Sequence, residues 1–141
     1  MAPESSAQEA REYREALMAR ADGDPRIRMH FGLIDADDLQ LYFNAADISV
    51  LPFRAVLTSL SLLLSMSFGV PVLIPRIPAI MEYVNDRVAY VMAPREGLTE
   101  ALGRAKTRRL SGELQSGAPV IQWVLRFDWS EAARSVARAF V

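Results

Sequence analysis

The sequence predicts an α/β fold, a mainly parallel sheet with helices on both faces, and three observations carry that prediction. Strand-like and helix-like patterns alternate along the chain. Strands separated by helices imply crossover connections, which make neighbouring strands parallel. The segments DISVL, VPVLI and VAYVM are nearly continuous apolar runs, as strands buried on both faces should be.

The elements follow in order. Ser5-Ser6 with Glu9 reads as a capping box that opens a helix through AQEAREYREALMARA. Its apolar positions Ala10, Tyr13, Leu17, Met18 and Ala21 keep helical spacing, and Asp22-Gly23-Asp24-Pro25 ends it. Arg26 to Phe31 alternates polar and apolar residues, the pattern of a strand with one covered face. A short helix is expected over Asp37 to Ala45, capped by Asp35, then a buried strand from Asp47 to Leu51. Next come a helix from Thr58 to Phe68, a strand from Val70 to Ile74 and a short helix over Pro78 to Val84. VAYVMAP is the fourth strand, and helices are expected near Leu98 to Lys106 and Trp129 to Val141. The stretch between those two helices carries no clear pattern. The whole reads as a single domain over residues 1–141.

From Ala55 to Pro75 the chain has no charged residue, which raises the alternative of a membrane span. Its interior argues against that reading. Gly69-Val70-Pro71 combines a helix terminator with a proline suited to the start of a strand, and Ser59, Ser61, Ser65 and Ser67 dilute the hydrophobicity. The flanks lack a basic cluster and an aromatic belt. No membrane span is expected.

Composition narrows the function. Sixteen Lys+Arg balance seventeen Asp+Glu for a formal charge of −1, so no general electrostatic case exists for nucleic acid. The absence of cysteine excludes disulfides and thiolate metal sites and suits a cytoplasmic protein. MAPESSAQEAREY has no apolar signal core. With His30 the only histidine, a His-cluster metal site is excluded. His30 reads as a strand-surface or packing histidine rather than a catalytic base, Asp35, Asp37 and Asp38 as helix-start acids rather than metal ligands, and Arg104, Lys106, Arg108 and Arg109 as a solvated basic face. No G-x-G-x-x-G follows a strand, which argues against a generic dinucleotide binder.

In parallel sheets ligands bind beyond the carboxyl ends of the strands, here Pro52 to Ser61, Pro75 to Pro78 and Met92 to Glu96. A helix opening near Thr58 would point unpaired N–H groups and a partial positive charge at that region. A diphosphate fits there, with the hydroxyls of Thr58, Ser59 and Ser61 and the guanidinium of Arg54 in reach. The competing reading is that Thr58 and Ser59 merely cap a core helix and Arg54 is solvated.

FGLIDADDLQLYFNAADISVLPF, LTSLSLLLSMSFGVPVLIP, IMEYV, VAYVMAP and RFDWSEAA together resemble the C-terminal domain of family-four GT-B glycosyltransferases. The resemblance implies a Rossmann-like domain that holds a nucleotide-sugar as donor substrate, with no metal or other cofactor, and transfers its glycosyl group to an acceptor hydroxyl in cell-surface polysaccharide or glycolipid synthesis. It implies donor contacts at Arg54, Thr58, Ser59, Leu60, Ser61 and Glu82, the last matching the family's glutamate in IMEYV. It also marks departures. The family's paired glutamates fall on Val56 and Leu64, and Leu60 stands where a related loop has glycine. Two opening strands, with an Arg and a Lys that neutralise the diphosphate, are expected ahead of Arg26 and are not in the sequence. The expectation is therefore that Arg26–Phe31 and Asp47–Leu51 either pair directly with each other or leave open edges, that a homodimer or a partner chain completes the sheet, and that the chain is inactive by itself. A non-catalytic relative acting as a partner subunit is the alternative.

Overall fold

The computed structural model describes residues 4–56 and 59–127, with side chains described from residue 8 onward. Contacts divide the chain into two compact units, Met1–Ile34 and Asp35–Val141.

The first unit contains helix α1 (Glu4–Ala21) and an extended segment. Helix α1 starts before the expected Ser5-Ser6 cap and ends where predicted, at the turn through Gly23. Arg26 to Phe31, expected as a strand, is not one. Its alternation is real, but it forms no ladder among the described residues, and Ile27, Met29 and Phe31 all stand exposed. Without a ladder, alternation leaves an extended chain rather than a strand. Phe31 instead lies under the Arg14 guanidinium, 4.2 Å from its ring centre.

The second unit carries the sheet. Its elements are α2 (Ala36–Ala45), β1 (Ser49–Val50), α3 (Leu60–Ser67), β2 (Val72–Ile74), α4 (Pro78–Met81), β3 (Ala89–Val91), α5 (Leu98–Leu110) and α6 (Ala118–Val124), followed by a 3₁₀ turn over Leu125–Phe127. The strands are parallel in the order β1-β2-β3, with Ser49 opposite Val72 and Leu73 opposite Tyr90. Three strands are therefore found among the described residues, where four were expected. The predicted parallel α/β sheet is the observed fold.

Strand β2 is the centre of the second unit. Val72 and Ile74 face one side and Leu73 the other, and all three are completely buried. On the first side Leu62 and Met66 of α3, Ile80 of α4 and Val120 and Val124 of α6 complete a cluster. On the second, Leu73 and Tyr90 meet Ala101 and Ala105 of α5, small residues that let the helix sit close to the sheet. Helix α6 lies in the stretch without a readable pattern, because only Val120 and Val124 are buried in a seven-residue helix. The expected helix over Trp129 to Val141 lies outside the described residues.

The α3–β2 connection is tightly specified. Gly69 N–H donates to Met66 O and Val70 N–H to Ser65 O, the paired hydrogen bonds of a Schellman stop. Gly69 has φ +75°, and a Cβ there would lie 2.7 Å from Gly117 Cα, whose own N–H donates to Gly69 O at 2.7 Å. The sequence reading of Gly69 as a helix stop is correct, and α6 adds a second reason for it. Asp35 holds the N-cap position of α2, but its side chain makes no capping bond; its carbonyl accepts from Asp38 and Leu39. The basic run of α5 is not a uniformly solvated face. Arg108 lies over Tyr90, pairs with Glu113 and donates to the Asp86 carbonyl, and Arg104 pairs with Glu100 at 2.9 Å.

Candidate functional site

Each strand ends in a short loop, and the three loops form one rim. Strand β1 closes with a tight turn in which Phe53 N–H donates to Leu51 O across Pro52. The chain then exposes Arg54 and runs through Ala55 to a half-buried Val56. Strand β2 continues as Pro75-Arg76-Ile77-Pro78, where Pro78 starts α4. Arg54, Ala55 and Val56 face Arg76, Ile77 and Pro78 across an open cleft of about 470 Å³. Neither guanidinium has an ion-pair partner among the described residues. Two unpaired cations on one concave surface favour an anion.

Ser59, the N-cap of α3, lies three residues beyond Val56, within about 10 Å of chain. Its Oγ accepts from Leu62 N at 3.1 Å, so the hydroxyl is engaged as a cap, and its carbonyl accepts from Leu63 N. The N–H groups of Leu60 and Ser61, in the first turn, have no acceptor within the helix. Leu60 is 82% exposed, so its side chain stands at the helix mouth and not in the core. Ser61 is exposed on the same first turn, and its carbonyl accepts from the buried Ser65 Oγ at 2.8 Å. Ser65 also meets Ser49 Oγ at 3.0 Å, tying the helix to β1.

The predicted residues thus divide. Arg54 lies on the cleft, Ser59, Leu60 and Ser61 head the adjoining helix, and Glu82 is exposed at the end of α4 without lining the cleft. Glu82 instead sits beside Tyr83, and its carboxylate raises the tyrosine pKa. Thr58 lies outside the described residues. Val56 packs against the core and Leu64 is partly exposed, so the family's two acid positions are apolar here. Sequence reasoning did not single out Arg76. Its signal was available: a cation immediately after a buried parallel strand, between two prolines.

The loop after β3 is closed on itself. Ala93 N–H donates to Glu96 Oε2 at 2.7 Å, Tyr90 donates its hydroxyl to Glu96 Oε1 at 2.8 Å, and Arg104 Nε lies 3.7 Å away. The Glu96 side chain is 3% exposed. Its carboxyl is held below the ordinary value by the Ala93 N–H first, then by Tyr90 and Arg104, against the opposing pull of burial. Burial, and then the Glu96 carboxylate, raise the Tyr90 pKa. Arg95 sits at φ +68° within this turn, a position costly for a side chain with a Cβ. With every oxygen of Glu96 engaged, the loop is a structural brace beside the cleft.

Among the described residues no cluster of acids or histidine could hold a metal ion, and no helix is long and apolar enough to cross a membrane. No curated protein and no solved structure gives a match to the chain. The family described as "Glycosyl transferases group 1" matches residues 6–111, well over half of the sequence and including the three strands and the cleft. With the parallel α/β sheet and its rim of loops, that match places the chain: it belongs to the group 1 glycosyltransferases.

Proposed function

We propose that the Arg54–Arg76 cleft receives the diphosphate of a nucleotide-sugar, and that the chain serves as the donor-binding part of a family-four type GT-B glycosyltransferase. The observation that carries this reading is the convergence of two unpaired guanidinium groups at the carboxyl ends of β1 and β2. The α3 N-terminus follows within a few residues and adds N–H groups and dipole charge. In transfer, the bond between the sugar's anomeric carbon and the diphosphate oxygen breaks as the acceptor hydroxyl attacks that carbon and gives up its proton to the departing nucleoside diphosphate. The developing charge on the diphosphate is what two arginines and a helix N-terminus stabilise. This route needs no metal ion.

The outer edge of β1 is unpaired among the described residues, which supports a second copy or a partner chain adding a strand there.

Titration calorimetry with UDP, GDP and their sugars tests the donor site. One nucleotide should bind saturably, and Arg76→Ala and Arg54→Ala should each weaken it by about tenfold or more, the loss of a charge-assisted contact. No binding at millimolar nucleotide would overturn the reading. The exposed Leu60 supports a second reading, a non-catalytic relative, because the side chain stands where a phosphate would approach. Leu60→Gly should then restore nucleotide affinity that the parent chain lacks.

A further inference from the structure

Ser65 is the one polar residue buried as a whole among the described residues, 1% exposed on the inner face of α3 beside Leu62 and Met66. Its neighbours on that face join the apolar cluster around Val72 and Ile74. An alanine there would fill nearly the same space and bring no polar atom to satisfy. The hydroxyl is fully engaged instead. Its Oγ donates to Ser61 O at 2.8 Å and lies 3.0 Å from Ser49 Oγ. A hydroxyl has one proton, so both contacts are met when Ser65 donates to Ser61 and accepts from Ser49.

These bonds form a chain from the sheet to the first turn of α3. Ser49 is fixed in the β1 ladder opposite Val72, where its N–H donates to Pro71 O at 2.9 Å. Ser61 stands in the first turn, next to Leu60. Leu62 and Met66 hold α3 to the core by apolar burial, which is non-directional and lets a helix turn or slide. Hydrogen bonds weaken steeply with distance and angle, so the Ser49–Ser65–Ser61 chain restricts that freedom. The other end of α3 is held separately, by Gly117 N–H on Gly69 O.

We propose that Ser65 is a positioning residue: it sets the first turn of α3 so that the Leu60 and Ser61 N–H groups meet a phosphate held by Arg54 and Arg76. Ser65 itself touches no substrate. The proposal rests on the donor reading, and the burial, the two bonds and their end points are what support it. Donors that recognise phosphate act only at hydrogen-bond distance, so a small displacement of the turn costs affinity.

Ser65→Ala, Ser49→Ala and, as an apolar control on the same face, Met66→Ala test this. In calorimetry with UDP and GDP, Ser65→Ala should weaken the nucleotide that the parent chain binds by about fivefold. Ser49→Ala should do the same, and the double variant should lose no more than either alone, because the two hydroxyls act as a unit. Met66→Ala should cost more stability and yet change affinity by less than about twofold. Amide hydrogen exchange at Leu62 and Leu63, which donate to Ser59 Oγ and Ser59 O, reads the first turn without nucleotide. Relative to Leu73 in β2, these amides should exchange about tenfold faster in Ser65→Ala and keep the parent ratio in Met66→Ala. An unchanged ratio in Ser65→Ala, or equal affinity losses in Ser65→Ala and Met66→Ala, would overturn the proposal. A parent chain that binds no nucleotide overturns the donor reading, whereas the exchange ratio still decides whether Ser65 anchors the turn.

Discussion

Val72–Ile74 and Arg26–Phe31 are both extended, both rich in large apolar side chains, and alike in backbone preference. The first is the completely buried centre of a sheet, with β1 on one side and β3 on the other. The second leaves Ile27, Met29 and Phe31 47%, 42% and 38% exposed and belongs to no strand. The difference is one of neighbours. Ser49 N and Leu51 N donate to Pro71 O and Leu73 O, and Met92 N donates to Ile74 O, so the backbone on both sides of β2 is paired. A strand is a property of a ladder, and residue pattern supplies only a candidate for one.

That contrast can be broken from either side. The largest effect is expected at the junction that leads into β2. Gly69→Ala places a Cβ 2.7 Å from Gly117 Cα and asks alanine to hold φ +75°, which should cost about 2–5 kcal/mol in chemical denaturation. A loss under 1 kcal/mol would mean that α6 yields readily. Next, Leu73→Ala should destabilise by about 2–5 kcal/mol through a cavity between β2 and α5. Met29→Ala, in the alternating but unpaired segment, should stay within about 1 kcal/mol. Equal effects at the two sites would end the comparison. Ser65→Ala should cost about 1 kcal/mol, because Ser49 loses its partner across the α3–β1 contact.

The smallest effect concerns pH. The Glu96 carboxyl titrates below its unfolded value, so its stabilisation is present above the ordinary carboxylate range and is lost as pH falls through the folded value. Glu96→Gln should therefore lower stability near neutrality and flatten the acid limb of the melting profile. An acid limb of unchanged slope would remove Glu96 as its source. Tyr90, raised chiefly by burial, acts at the other end: its contribution holds below the unfolded tyrosine value and fades as pH climbs past it.

Much of the second unit was legible because burial on both faces writes continuous apolar runs. DISVL, VPVLI and VAYVM each contain the observed strand, although the strands are shorter than the runs. Ser59, Gly69 and Pro78 announced their roles because caps, stops and first-turn prolines act within a few residues of themselves. Arg54 was found for the same reason, being placed by the strand before it. Arg76 was not, since what matters there is convergence with a distant residue, Arg54.

The sequence by itself determined the class of fold and the parallel order of elements from β1 to α5. Those features follow from periodicity and local chemistry, which act over one element at a time. Tertiary structure decided which candidate strand became one, which arginines are spent on Glu100 and Glu113, and which stay unpaired in the cleft. Pairing of strands and charges depends on separations in space, and those are fixed only when α3, α5 and α6 close over the two faces of β2.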